Sequence, residues 1–273
     1  SVLPSVRDGL VPRELSLGKV LPPKIGNLVK VVTGMRRSGK TFRLYQAILD
    51  LLDSGVSAER ICYFNFDDER LKPYPADIVS QVFETFYELH PEARSEGAFI
   101  FLDEVQDVPQ WELAARRVVD TEKVTMYFTG SSSRLLSDDI ATEFRGRSIA
   151  YELSPYSFAE FLRSRGVAVP MGAELDSKTV ASRLKGVYRD YLLEGGFPAI
   201  SSLDEMERVQ VLQSYAQFTV ARDLVERHGY TNAAFVRNLA RSVVASSARD
   251  FSISKAHNQG LSSGYSPGRE KIG

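Results

Sequence analysis

The chain has 273 residues, 43% of them hydrophobic and 25% charged, with 34 Lys and Arg against 35 Asp and Glu. That is ordinary for a folded globular protein with room for one main domain and a smaller partner. No apolar stretch approaches the roughly 18 residues that cross a bilayer, the lone cysteine, Cys62, rules out an internal disulfide, and the separated His90, His228 and His257 offer no zinc ligand set.

These exclusions point to a cytosolic setting without a membrane anchor, and Cys62, inside an apolar run, reads as a buried thiol. Charge is unevenly spread. From Arg222 onward eight Lys and Arg face four Asp and Glu, so the tail is basic and the body acidic. The opening Ser1 and the glycine-rich, polar end at Gly273 raise the expectation of a longer native chain.

In chain order, LVKVVT at 28–33 is a short, β-branched run suited to a central strand, and it stops at Gly34. Residues 41–52 then place Phe42, Leu44, Tyr45, Ile48, Leu49, Leu51 and Leu52 at helical spacing, ended by Ser54 and Gly55. ICYFNF from Ile61 predicts a second strand, Ile78–Leu89 an amphipathic helix, 98–102 a third strand, and Trp111 the start of another helix. Val124–Thr129 and 149–153 complete five strands alternating with helices, which predicts a parallel sheet covered on both faces. Beyond Pro155 the patterns are helical, over 156–162, 178–193, 206–224 and 233–245, with a sharp break at Leu193-Glu194-Gly195-Gly196-Phe197-Pro198.

Gly34-Met35-Arg36-Arg37-Ser38-Gly39-Lys40-Thr41 has two glycines four residues apart followed by Lys and Thr, the pattern of a phosphate-binding loop. Glycines permit positive φ and close approach of N–H groups to phosphate oxygens, and the following helix presents its positive end to the same anion. Lys40 is placed to pair with β- and γ-phosphates, and Thr41 to give its hydroxyl to Mg²⁺. Arg36 and Arg37 are not required by the motif and are candidates to contact phosphates, a carboxylate such as Asp67, or a partner.

FIFLDE places Asp103 and Glu104 where an apolar strand meets the carboxyl edge of the sheet, the edge that binds ligands in such folds. Asp103 is expected in the Mg²⁺ shell and Glu104 at the attacking water, since phosphoryl transfer to water needs an oriented nucleophile. Ser131 and Ser132, after the next strand, are candidates to touch the γ-phosphate or that water, with a serine-rich turn as the alternative. Arg145 and Arg147 are candidates to neutralise transition-state charge, in cis or across a subunit interface.

GMRRSGKT, FLDEVQ, TGSSSRLLS, FRGR, ELSPYSFAEFL and YLLEGGFPA, in this order, resemble a large group of prokaryotic AAA-type ATPases, over residues 29–224. The resemblance implies an α/β fold with a P-loop NTPase sheet between helices, ATP and Mg²⁺ as cofactors, and a mainly helical second half. It assigns Ser131 or Ser132 as the polar sensor residue and Arg145 or Arg147 as the trans-acting arginine. Phe251-Ser252-Ile253-Ser254-Lys255-Ala256 resembles the start of a winged-helix module.

The expected division is a P-loop ATPase domain over 1–155, a helical region over 156–232 and a partial winged-helix-like module over 233–273. Two functional readings stay open. In one, a nucleotide-driven switch acts on duplex DNA through Arg237, Arg241, Arg249, Lys255, Arg269 and Lys271; in the other, a signalling or defence-type ATPase binds a protein partner or itself, with Phe235, Val236, Leu239 and Val243 as a docking stripe or core.

Overall fold

The structure, a computed structural model, describes residues 7–130, 140, 142–219, 233–246, 252, 254, 255 and 258. Five strands, β1 (Val29–Thr33), β2 (Ile61–Asn65), β3 (Ala98–Asp103), β4 (Val124–Thr129) and β5 (Ser148–Glu152), form one sheet in the order β2-β3-β4-β1-β5. Every neighbouring pair is parallel, so each crossover must be carried over a face of the sheet. The expected parallel α/β fold is what forms.

Helices α1 (Lys40–Asp53), α2 (Ile78–Leu89), α3 (Glu92–Glu96) and α4 (Trp111–Thr121) supply that cover. The central strands are buried along their whole length because both faces are packed. In β3, Phe99 and Phe101 face Leu44, Ile48 and Leu51 of α1. Ala98, Ile100 and Leu102 point the other way, into a cluster with Phe83 and Phe86 of α2 and Trp111 and Val118 of α4. The alternation is the period of two of the strand, and it leaves only the strand ends open for chemistry.

Beyond β5 come α5 (Phe158–Ser164) and α6 (Lys178–Glu194), followed by α7 (Glu205–Phe218) and α8 (Ala233–Ala245). Of the helix expected over 206–224, residues 206–219 are described, and α7 runs to Phe218. Ser157 starts α5 as a reciprocal cap with Glu160, satisfying two orphan N–H groups of the first turn. The chain divides into two compact units, Ser1–Ser202 and Leu203–Gly273. Of the expected winged-helix start, 251–256, Phe251, Ile253 and Ala256 lie outside the described residues.

One feature has no sequence signal. Residues 13–19 run as a strap along the α1 face, without regular structure, held by buried cations that read its carbonyls. Arg43 Nε donates to Leu15 O at 2.9 Å, and Lys30 Nζ donates to Leu17 O at 2.6 Å and Lys19 O at 2.5 Å. A strand interior has no reason to carry lysine, but Lys30 directs its charge at the carbonyl of buried Leu17, which would otherwise lack this donor, and at the more open carbonyl of Lys19. Burial pushes its ammonium pKa below the ordinary lysine value, and the nearby Arg43 adds to the shift.

Candidate functional site

The site is built where β1, β4 and β3 end side by side. In the register, Val32 lies opposite Thr129 and Leu102 opposite Phe128, so the loop after β1, the end of β4 and the Asp103-Glu104 step are level with one another. The strand order therefore brings together residues some 70 positions apart in sequence.

The loop itself needs its glycines. Gly34 has φ +148°, and a Cβ there would overlap the Leu153 carbonyl of the chain leaving β5. Gly39, at φ +95° and ψ 27°, turns the loop into α1 in a left-handed conformation that other residues adopt at a cost. Ser38 is fully buried and Lys40 nearly so, whereas Met35 is half-exposed. Lys40 Nζ lies 3.2 Å from Met35 O and 3.4 Å from Gly34 O, folded over its own loop, and 3.4 Å from Glu104 Oε1.

Asp103 is fully buried and surrounded by hydroxyls. Thr129 Oγ1 donates to one carboxylate oxygen, Tyr63 OH to the other at 2.9 Å, and Thr41 also donates to the group. Burial raises the Asp103 pKa above the ordinary carboxylate value; the three hydroxyls oppose that shift by stabilising the anion, and the Glu104 charge adds to it. Tyr63 in turn accepts from Tyr45 OH at 3.2 Å, and burial first, then Asp103, keeps its phenol protonated through the working pH range.

Glu104 stands in a left-handed conformation, φ 56° and ψ 45°, unusual for a residue with a side chain. Its N–H donates to Thr129 Oγ1 at 3.0 Å, and its carboxylate is held by Lys40 and by Gln106 Nε2 at 2.9 Å. One threonine hydroxyl thus donates to Asp103 and accepts from Glu104. In sequence Thr129 looks like no more than the last residue of a strand; the signal is its polarity at a fully buried strand end.

Ser131 and Ser132 lie outside the described residues. Arg147 sits at the opposite, amino edge of the sheet, beside Val29 and the start of β5, where Nη2 meets Asp120 Oδ1 at 2.5 Å. That edge is a strand length from Lys40, so Arg147 is not brought to the site within one chain. Arg145, two residues earlier, is exposed. Among the described residues no group of three or more His, Cys, Asp or Glu could hold a metal. Thr41 and Asp103 supply two hard oxygen ligands side by side, which fits Mg²⁺, a cation that keeps several waters.

Arg13, unremarked in the sequence, packs beneath the loop. Its guanidinium donates from Nη1 to Ser38 O at 2.6 Å, from Nη2 to Ser154 O at 2.6 Å and from Nε to Glu160 Oε1 at 3.0 Å. The Gly195–Pro198 turn also returns here: Tyr156 N–H donates to Gly196 O at 2.6 Å, and Pro198 borders Gly39.

Residues 26–162 match the AAA domain family, and 185–264 match a domain of unknown function. An uncharacterized protein of Methanocaldococcus jannaschii is 32% identical over 235 residues, which is 86% of this chain and 50% of that one. One from Haemophilus influenzae is 28% identical over 84% of this chain and 54% of its own length. The chain thus spans about half the length of these relatives. Among solved structures, AMPPCP-bound DnaA from Aquifex aeolicus aligns over 93% of this chain and 80% of its own, at 16% identity and a TM-score of 0.35. Among the described residues, no helix is long and apolar enough to cross a membrane.

Proposed function

Because the chain belongs to the AAA domain family, we propose that it binds ATP with Mg²⁺ and hydrolyses it, the cycle serving as a nucleotide-driven switch. The observation that carries this reading is the convergence of Lys40 and Thr41 with Asp103 and Glu104 over the end of β4. The loop and the amino end of α1 receive the phosphates, and Lys40 turns from the Met35 carbonyl and Glu104 toward their oxygens. Thr41 and Asp103 would hold the cation, which when bound would neutralise charge developing on the phosphates. Glu104 orients a water for attack on the γ-phosphorus and takes its proton as the bond to the bridging oxygen breaks. Ser131 or Ser132 would sense the γ-phosphate, and exposed Arg145 or Arg147 of another copy would complete the charge if the protein self-associates. A cytosolic setting is part of the proposal.

The test is phosphate release from ATP with and without Mg²⁺, in the wild-type chain and in Glu104→Gln. Mg²⁺-dependent turnover that Glu104→Gln slows by roughly 10² or more, with ATP still bound, supports the reading. Absence of ATP binding by the wild-type protein overturns it.

A second reading sets the switch on duplex DNA. Arg237 and Arg241 are both exposed and one turn apart on α8, in a segment whose charge is basic, and Lys255 is exposed further on. Phosphate contacts by such residues release counterions, so affinity for a labelled duplex should fall with salt, and fall further in an Arg237→Glu, Arg241→Glu double variant. Equal binding by both forms, or none at low salt, leaves the protein-partner reading.

A further inference from the structure

We propose that Arg13 is a positioning residue for nucleotide binding, locking the Ser38-Gly39 peptide so that the Gly39 N–H faces the ligand. This rests on residues 34–41 being the phosphate loop. In a trans peptide the carbonyl and the following N–H point in opposite directions. Arg13 Nη1 draws the Ser38 carbonyl to 2.6 Å and so turns the Gly39 N–H away from the guanidinium.

The lock is needed because the next residue is glycine. Glycine tolerates both orientations of the peptide before it, and Gly39 already stands at positive φ. A flipped peptide would aim a carbonyl oxygen, instead of a donor, at an anion. A directional, charged donor under the loop favours one orientation, and the planar fork of arginine provides it while also bridging to Ser154 O and Glu160.

The arrangement is built rather than incidental. The Arg13 and Glu160 side chains are 3% and 4% exposed. Glu160 Oε1 also accepts the Glu14 N–H at 2.6 Å, and its other oxygen caps α5 through the Ser157 N–H at 2.8 Å. The Arg13 backbone is fixed from the other side by Gln46 Oε1 of α1 at 3.0 Å. The Arg13 guanidinium lies 5.1 Å from the Tyr156 ring centroid. A Cβ on Gly39 would stand 3.1 Å from Arg13 Nη1, so the glycine also makes room for its lock.

The experiment is ATP affinity and steady-state kinetics of the full chain as wild type, Arg13→Lys, Arg13→Ala and Lys40→Ala, each with a melting curve. Arg13→Lys keeps charge for Glu160 and loses the fork. Its KM and ATP Kd should rise about 10-fold or more with kcat nearly unchanged, as for loss of a buried charge-assisted hydrogen bond. Arg13→Ala should weaken ATP further, and millimolar guanidinium, too dilute to denature, should restore it. Should Arg13→Ala fail to fold, Arg13→Lys carries the test. The inference is overturned if Arg13→Lys binds ATP within about twofold of wild type while Lys40→Ala does not, or if losses track melting temperature and guanidinium restores nothing. Undiminished ATP binding by Lys40→Ala instead removes the phosphate-loop reading itself.

Discussion

Lys40 Nζ and Glu104 Oε1 lie 3.4 Å apart, the lysine side chain 3% and the glutamate 17% exposed, so the loop after β1 and the end of β3 are joined by a half-hidden ion pair. A triphosphate carries more charge than one carboxylate and competes for the same ammonium. On the proposed reading, loading the site would release Glu104 from Lys40, so that the two groups proposed to bind and to hydrolyse are coupled through this pair.

Lys40→Ala is expected to weaken ATP by at least about tenfold, because a buried charge-assisted contact is lost. It also strips Glu104 of its cation. Isothermal titration with ATP checks the first effect.

Glu104→Gln keeps its shape and its contact with Gln106, and is expected to hold ATP while slowing hydrolysis by roughly 10² or more. Single-turnover phosphate release reads this directly. A rate near wild type would show that Glu104 is not the group that orients water.

Thr129→Val preserves volume but leaves the Glu104 N–H without its acceptor and Asp103 without one donor. Stability should drop by about 1–3 kcal/mol, the cost of orphaned buried groups, and turnover should fall with it. Urea unfolding and kinetics on the same preparation separate the two. Thr129→Ser, which keeps the hydroxyl, should recover most of both.

Lys30 gives a pH signature. Its folded pKa is lowered by burial, so between that value and the ordinary lysine value of about 10.4 the unfolded chain holds a proton the folded chain has lost. In that window Lys30 makes stability rise with pH. Buried tyrosines such as Tyr127, pushed up to about 12, act in the opposite sense above pH 10. The stability difference between wild type and Lys30→Met should therefore shift in favour of wild type as pH climbs; a flat difference in denaturant midpoints would contradict it.

The sheet was legible because its signals are local. Runs such as AFIFLD and VTMYFT are apolar on both faces only if helices cover both, and the glycine loop directly follows β1. The Asp103-Glu104 step was legible for the same reason. What stayed hidden depends on register and long reach. Thr129 acquires its role only once β4 is known to lie between β1 and β3. Arg13 meets Ser38 25 positions away and Glu160 147 away, and nothing near it in sequence hints at either. Arg145 and Arg147 share a motif, yet only Arg147 is tied to Asp120, a distinction no spacing could reveal.

Gly34 carries a consequence for anyone altering this loop. Its missing side chain leaves room for the Leu153 carbonyl, and the Leu153 N–H donates to Thr33 O at 2.8 Å just before it. An alanine there would push β5 off the strand that launches the loop, so damage would start in the sheet and reach the ligand second. A Gly34→Ala protein that no longer binds nucleotide would be reporting on how two strands part company, and its defect should appear in hydrogen exchange along 29–33 and 148–153 with no nucleotide added.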